Sequence, residues 1–416
     1  MSTTSYPAVA SIELTALRPY SGAQILLGVT GGIASYKAAW VARLLTKAGA
    51  LVDVVMTPAA TEFVGAITFE ALTGRQVHTG LFDPGRALRH ITLARGASAI
   101  VVAPATADFI ARAAAGQADD LLTACLLAAS SPVLFVPAMN DRMWGHPQTR
   151  RNIAHVRELG YRIIEPIEGI LAAGEGSGVG RMPEPETIVA HVGRLLEPAT
   201  ALAGKRVLVT AGATREAIDP VRFISNHSTG KMGIAVAAAA WRRGATVDLI
   251  AGALNVGVPD GVNVHTVEST EDMATAVAQL LPASDVLVMA AAPADFRPAE
   301  RARSKISKSR ALTLSLAGTA DILLATRSAR RPDTVIVGFA LETHDAVANG
   351  RKKLASKDLD MMVVNDATEP GAGFGVDTNR VTLLRREGDD ECLPLMPKTD
   401  VADAILDRVE LLIGRR

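Results

Sequence analysis

Gln24-Ile25-Leu26-Leu27-Gly28-Val29-Thr30-Gly31-Gly32 reads as a buried strand that runs into a glycine-rich turn. Behind the turn, Ile33 to about Ala48 carries a helical pattern, with Trp40, Val41, Leu44 and Leu45 spaced for one buried face. Gly49 stops that helix, and Leu51 to Met56 is a second strand. Ser98 to Ala103 and Val133 to Val136 repeat the same kind of buried strand. Strands that alternate with helices predict a parallel sheet covered on both faces.

The pattern restarts further along. Pro183-Glu184-Pro185-Glu186 opens a partly helical segment, and Glu197-Pro198 to Gly204 reads as a connection. Arg206 to Thr210 is then a strand and Lys231 to Arg243 an alanine-rich helix. Thr246–Ala251, Asp285–Ala290, Val335–Ala340 and Met361–Asn365 read as further strands, with a helix over His344 to Lys357. The expectation is an α/β protein of two Rossmann-like three-layer domains with mostly parallel sheets. A leader covers 1–21, a first domain 22–190, a linker 191–203 and a second domain 204–416. The halves share a style but no alignable repeat.

Forty-three Lys and Arg balance forty-three Asp and Glu. A chain without positive excess is a poor holder of polyanions, so nucleic acid is not an expected partner. Apolar residues at 49% against 21% charged supply buried cores and exclude a largely disordered chain. Two cysteines, Cys125 and Cys392, exclude a disulfide scaffold or a Cys-rich metal site and fit a reducing compartment. Apolar runs are strand-sized or broken, and no secretory leader is legible, so the expectation is a cytoplasmic protein without a membrane span.

Open α/β sheets bind ligands beyond the carboxyl ends of their strands. The turns after Val29 and Thr210 occupy such places, where helix N-termini favour anions. Tight strand-to-helix turns want glycine anyway, so structural and phosphate-binding readings both stay open. Ser228-Thr229-Gly230-Lys231 is not a P-loop, because Met232 follows the lysine and Ser225 stands where the upstream glycine belongs.

Four segments put polar residues at strand ends: Thr30 to Lys37, His90-Ile91-Thr92-Leu93, Ala103-Pro104-Ala105-Thr106-Ala107-Asp108, and Pro137-Ala138-Met139-Asn140-Asp141-Arg142-Met143-Trp144. Together they resemble the flavin-dependent cysteine decarboxylase family over about residues 22–190. The resemblance implies FMN, with its phosphate near Gly31, Gly32 and Ile33. Further flavin contacts would come from Thr57, Pro58 and Ala59, from Thr106, Ala107, Asp108 and Phe109, and from Ala138. It implies Asn140 as holder of the substrate carboxylate and His90 as the catalytic histidine. An imidazole ordinarily titrates near neutrality and can move a thiol proton, while a flavin supplies the redox chemistry. By residue type alone His90 is equally a surface or capping histidine, Asn140 a turn former, and Thr106 and Asp108 helix caps. The family's flap carries a proton-delivering cysteine in Leu-Ala-Cys-Gly. Here the flap is Leu171-Ala172-Ala173-Gly174-Glu175-Gly176-Ser177-Gly178-Val179-Gly180-Arg181-Met182, with Ala173 in that place. Either Glu175 or water supplies the proton, or this half stops at the enethiol or is impaired.

Ala211 to Glu216, Asp219 to Gly233, and Ala290-Ala291-Ala292-Pro293-Ala294-Asp295-Phe296 resemble the phosphopantothenate–cysteine ligase family over roughly 204–410. That resemblance implies carboxylate activation by CTP with Mg2+, and displacement of CMP by the amine of cysteine. Asn226 would hold the acyl-cytidylate and Lys305 would neutralise charge growing on phosphate. Met289, Ala290, Ala291, Asp295, Ala320, Asp321, Ile322, Leu323, Phe339, Lys353 and Lys357 would complete the nucleotide site, with Asp295 also a candidate for the metal. By type alone Lys353 and Lys357 belong to a solvated helix face, Lys305 to a basic surface loop, Asn226 to a helix cap and Asp295 to a turn. Ala213, Ser307 and Thr319-Ala320-Asp321 depart from the family pattern and bear on nucleotide affinity.

The two halves in this order resemble the bifunctional family of coenzyme A biosynthesis, and the resemblance also implies a homo-oligomer. The expected function is ligation of cysteine to 4′-phosphopantothenate followed by decarboxylation. Two alternatives are a ligase with an impaired flavin half and a flavin-binding regulatory module. The expected partners are small-molecule substrates.

Overall fold

The computed structural model describes residues 18–82, 88–174, 176–308, 313–366, 369, 371–373 and 375–415. Its contacts divide the chain into two units at Pro198 and Ala199. Among the described residues no helix is long and apolar enough to cross a membrane.

The first unit is built on a six-stranded parallel sheet. Its spatial order is Val77–His78, Leu51–Met56, Gln24–Val29, Ala99–Ala105, Val133–Pro137 and Arg162–Ile163. Alternation along each strand fills a core on either face. Ile25, Leu27 and Val29 pack with Val41 and Leu45 of the helix Ser35–Lys47, while Leu26 packs with Phe109, Leu122 and Phe135 opposite. Gly28 allows this second layer to close, because a Cβ there would meet the Leu122 methyls at 2.6 and 2.7 Å. The helix after the first strand ends at Lys47, and Gly49 turns the chain with φ +93°.

Trp40 is 44% exposed and donates its indole N–H to Glu186 at 3.1 Å. The expected buried face therefore runs through Val41, Leu44 and Leu45 without it. Two boundaries also move. The helix Pro185–Leu196 buries Ile188, Val189 and Val192 in the first core, so the chain does not leave this unit at 190. Tyr20, expected in the leader, is 4% exposed and donates its hydroxyl to the Val189 carbonyl at 2.8 Å. Residues 1–17 lie outside the described residues.

The second unit carries an eight-stranded sheet. Asn263–Thr266, Thr246–Ala251, Arg206–Ala211, Val286–Met289, Val335–Glu342 and Met361–Asp366 are parallel, in that order. Thr382–Arg385 and Glu391–Cys392 extend it antiparallel. Leu202 is fully buried and Gly204 donates to the Gly244 carbonyl, so residues 200–204 belong here and the expected 191–203 linker shrinks to about Glu197–Ala199. The helices Lys231–Arg242 and Lys398–Ile413 lie together. Arg243, next to the first of them, is 3% exposed and lies among Asp403, Asp407 and Glu410. Both sheets thus send a row of strand ends into loops, where each unit's motif residues collect.

Candidate active sites

In the first unit, three strands end beside one another and each passes directly into a helix. Thr57 caps the short helix Pro58–Thr61 and Thr106 caps Ala107–Ala114, each accepting from a backbone N–H at 3.3 Å. Thr30 ties two of the loops together. Its hydroxyl donates to the Pro104 carbonyl at 2.8 Å and accepts from the Thr106 N–H at 3.1 Å. Gly31 lies against Ala59, with no room for a Cβ. The N–H groups of Gly31, Gly32, Ile33 and Ala34 make no hydrogen bond among the described residues. They sit at the N-terminus of the helix Ser35–Lys47, an arrangement that suits a phosphate. Capping and ligand contact coexist at Thr106. Asp108 is exposed and paired with Arg112 at 3.1 Å. The Phe109 ring faces the core at 0% exposure, edge-on to Phe135, so only its backbone is open to a ligand.

Ala138 and Asn140 follow the strand Val133–Pro137 and are half-buried. Asn140 Oδ1 accepts from the Arg142 N–H at 2.9 Å, whereas its Nδ2 has no acceptor among the described residues. That free amide suits a carboxylate. The ribbon Ile167–Ile170 and Ser177–Arg181 packs here, with Met139 N–H donating to the Gly180 carbonyl at 3.0 Å. The ribbon's glycines follow from this. A Cβ at Gly178 would meet Asp141 at 2.8 Å, and one at Gly180 would overlap the Met139 carbonyl. Lys37, 7% exposed, holds the ribbon's base through the Met182 carbonyl at 3.0 Å and Glu184 at 3.1 Å. The motif reading had given Lys37 no role, although a lysine on an otherwise apolar helix face was the available signal. Ala173 is exposed, and Glu175 lies outside the described residues. His90 sits on the separate helix Arg89–Gly96, with Nδ1 buried and without a partner among the described residues.

In the second unit the strand Arg206–Ala211 leads through Gly212, at φ +84° and against Ala253, into the ribbon Arg215–Ala217 and Phe223–Ser225. Asn226 follows the ribbon. Its Nδ2 donates to the carbonyls of Ala292 at 3.2 Å and Pro293 at 2.9 Å, which leaves Oδ1 free among the described residues. The ribbon's turn grips the Lys305 loop. Asp219 accepts from Val221, Arg222 and Ile306 N–H groups at 2.8, 2.8 and 3.1 Å, and Arg222 donates to the Ile306 carbonyl at 3.2 Å. Burial works against the Asp219 charge, but these three donors and the Arg222 guanidinium hold its carboxyl below the usual carboxylate range. Lys305 itself is exposed and without a partner among the described residues. One ribbon therefore carries Asn226 at one end and the anchor of Lys305 at the other. Asp219 and Arg222 are the residues the motif reading left without a task.

Other expected nucleotide contacts fall into four groups. Ala290, Ala291, Asp295 and Ala320 lie in loops, with Ala291 N–H held by Thr210 Oγ1 at 3.1 Å. Met289, Ile322 and Leu323 put their side chains into the core at 7%, 4% and 6% exposure, so they offer backbone only. Phe339 is half-buried on its strand. Lys353 and Lys357 are ion-paired, to Glu342 at 2.6 Å and Asp321 at 2.7 Å. They are neither a free solvated face nor free phosphate ligands. Asp295 is exposed, and among the described residues no three metal-ligating side chains cluster.

The Flavoprotein family model matches residues 13–197, and the model for the DNA/pantothenate metabolism flavoprotein C-terminal domain matches 202–412. Fold and matches together define the class, a flavoprotein domain joined to a domain of that second type. Coenzyme A biosynthesis bifunctional protein CoaBC of Mycobacterium tuberculosis (strain CDC 1551 / Oshkosh) is 48% identical over 93% of this chain and 96% of its own. The protein of that name from Bacillus subtilis (strain 168) is 46% identical over 93% and 97%. A solved C-terminal domain of Coenzyme A biosynthesis bifunctional protein CoaBC is 38% identical, with TM-score 0.45, covering 52% of this chain and 100% of that one. The chain belongs to the family of coenzyme A biosynthesis bifunctional proteins.

Proposed function

We propose that the second unit joins cysteine to 4′-phosphopantothenate with CTP, and that the first unit decarboxylates the product to 4′-phosphopantetheine. The observation that carries the reading is the ribbon Arg215–Ser225, which anchors Asn226 and the Lys305 loop together. Asn226 Oδ1 accepts a hydrogen bond from the acyl-cytidylate, and the Lys305 ammonium offsets charge growing on the departing pyrophosphate. Asp295 belongs to no cluster of three metal-ligating side chains among the described residues. That suits Mg2+, which keeps its waters and arrives on the triphosphate. Cysteine's amine then attacks the activated carbonyl and CMP leaves.

In the first unit the N–H groups of Gly31 to Ala34, without acceptors among the described residues, fit the phosphate of FMN. A bound FMN would take two electrons from the cysteine side of the acylcysteine and, once carbon dioxide has left, return them to the enethiol, so the overall decarboxylation is redox-neutral. Asn140 Nδ2 orients that carboxylate and His90 takes up the thiol proton. Ile33, Tyr36 and Ile67 are 67%, 62% and 72% exposed, large apolar side chains around the same site, which supports a homo-oligomer that covers them. Free Cys125 and Cys392 fit a cytoplasmic location.

The test supplies purified protein with 4′-phosphopantothenate, cysteine and CTP, and follows pyrophosphate, carbon dioxide and product mass. Both products support the reading. No pyrophosphate and no carbon dioxide from supplied acylcysteine overturn it. Amide without carbon dioxide selects the second reading, a ligase with an impaired flavin half, which the exposed Ala173 favours because alanine has no proton to give.

A further inference from the structure

Glu216 is a carboxylate with 5% exposure on the strand Arg215–Ala217; it closes the motif segment Ala211 to Glu216, and the resemblance assigns it no role. Its Oε1 accepts from both the backbone N–H and the hydroxyl of Thr270, each at 2.8 Å. Thr270 opens the helix Thr270–Leu280, so the charge rests at a helix N-terminus.

Proton counting gives the bonds beyond it a direction. The Thr270 hydroxyl has one hydrogen, and the carboxylate is its strongest acceptor. The 2.9 Å contact between Thr214 Oγ1 and Thr270 Oγ1 must then be donated by Thr214. That leaves Thr214 Oγ1 as the acceptor for the Ala294 N–H, also at 2.9 Å. The chain therefore runs one way, from the Ala294 amide through two hydroxyls to the carboxylate, with each donor polarised by the next acceptor. The next peptide is pinned as well. Thr319 donates its hydroxyl to the Ala294 carbonyl at 2.6 Å and its N–H to the Asp295 carbonyl at 2.9 Å. The loop so fixed presents Asp295 and supplies the two carbonyls that hold Asn226.

The geometry points to Glu216 as a positioning residue of the ligase half: through Thr270 and Thr214 it sets the Ala294 amide, and with it the loop that places Asp295 and Asn226. It touches no substrate. Its removal leaves Thr270 N–H without an acceptor and turns the Thr270 hydroxyl to its remaining acceptor, the Ala294 carbonyl at 3.3 Å, where it competes with Thr319 and shifts both Thr214 and the loop. The inference rests on the ligase reading, and the decarboxylase half serves as control on the same polypeptide.

The experiment measures CTP-dependent pyrophosphate release, with kcat and KM for CTP, in Glu216→Ala, Glu216→Gln and Thr214→Val. Carbon dioxide release from supplied 4′-phosphopantothenoylcysteine is measured on each preparation. Displacing the loop by a fraction of an ångström to 1 Å predicts a fall of about 10- to 100-fold in ligase kcat for Glu216→Ala. Decarboxylation stays at wild-type rate. Glutamine keeps the Oε1 acceptor and restores most of the rate. Thr214→Val, similar in shape but without the acceptor for Ala294, lowers kcat as well. Wild-type kcat in Glu216→Ala, or equal losses in Ala and Gln, overturns the inference. If Glu216→Ala does not fold, wild-type kcat in Thr214→Val overturns it. A wild-type protein that decarboxylates but does not ligate sinks the ligase reading itself.

Discussion

Gly180→Ala tests how the ribbon positions the first site. A Cβ at Gly180 would overlap the Met139 carbonyl oxygen and stand 3.2 and 3.3 Å from the carbonyl carbons of Met139 and Asn140, where real Cβ atoms essentially never come within 3.0 Å of a neighbour. All three neighbours are backbone, so no rotamer change relieves the overlap. The ribbon and the Met139–Asp141 turn must separate by roughly 1 Å, and a displacement of that size costs about 100-fold in rate where geometry is set for reaction. The bond from Met139 N–H to the Gly180 carbonyl, 3.0 Å in the structure, is then lost. Its loss and the overpacking together cost about 2–4 kcal/mol. The expected result is a fall of about 100-fold in carbon dioxide release from 4′-phosphopantothenoylcysteine and a lower Tm, with ligation unchanged. Gly178→Ala meets the Asp141 side chain in place of a carbonyl, its Cβ at 2.8 Å, and should lose less. Decarboxylation within about threefold of wild type in Gly180→Ala, at unchanged flavin content, would refute the reasoning.

The other expectations follow from single contacts. His90→Asn abolishes carbon dioxide release while CTP-dependent ligation continues; surviving release removes His90 from the proton-transfer role. Lys305→Gln slows pyrophosphate release by about 10- to 1,000-fold, and Asp219→Ala moves the same loop by deleting the acceptor of Ile306 N–H, at a further cost of about 1–3 kcal/mol in stability. If Asp219→Ala leaves pyrophosphate release unchanged, the loop is held by something else. Burial pushes the Lys398 ammonium, which donates to the Gly373 and Val376 carbonyls at 2.9 and 2.5 Å, down to about 8, with nearby Lys231 adding to the effect. Between about pH 8 and 10 the unfolded chain then binds more protons than the folded one, so this group's contribution to stability rises with pH, by up to about 3 kcal/mol. The Tm of wild type minus that of Lys398→Met should therefore rise across that window, and a constant difference would exclude the shift.

The sequence by itself determined the strands, the helices and the class. Apolar runs such as Gln24–Val29 and Arg206–Ala211 are buried on both faces, and burial of that kind leaves its record in composition. It also placed Gly31 and Asn140 at strand ends and Lys305 in a loop, because motif order follows chain order. Tertiary structure alone decided which motif side chains remain open to a ligand. Phe109, Ile322 and Leu323 turn into the core, and Lys353 and Lys357 meet acids that lie elsewhere in the sequence. It also revealed the supports, Lys37 under the ribbon, Asp219 under the Lys305 loop and Glu216 behind Asn226. Such residues act through partners from 54 to 147 positions away in the chain, and no local pattern records a hydrogen bond that only the folded backbone brings within reach.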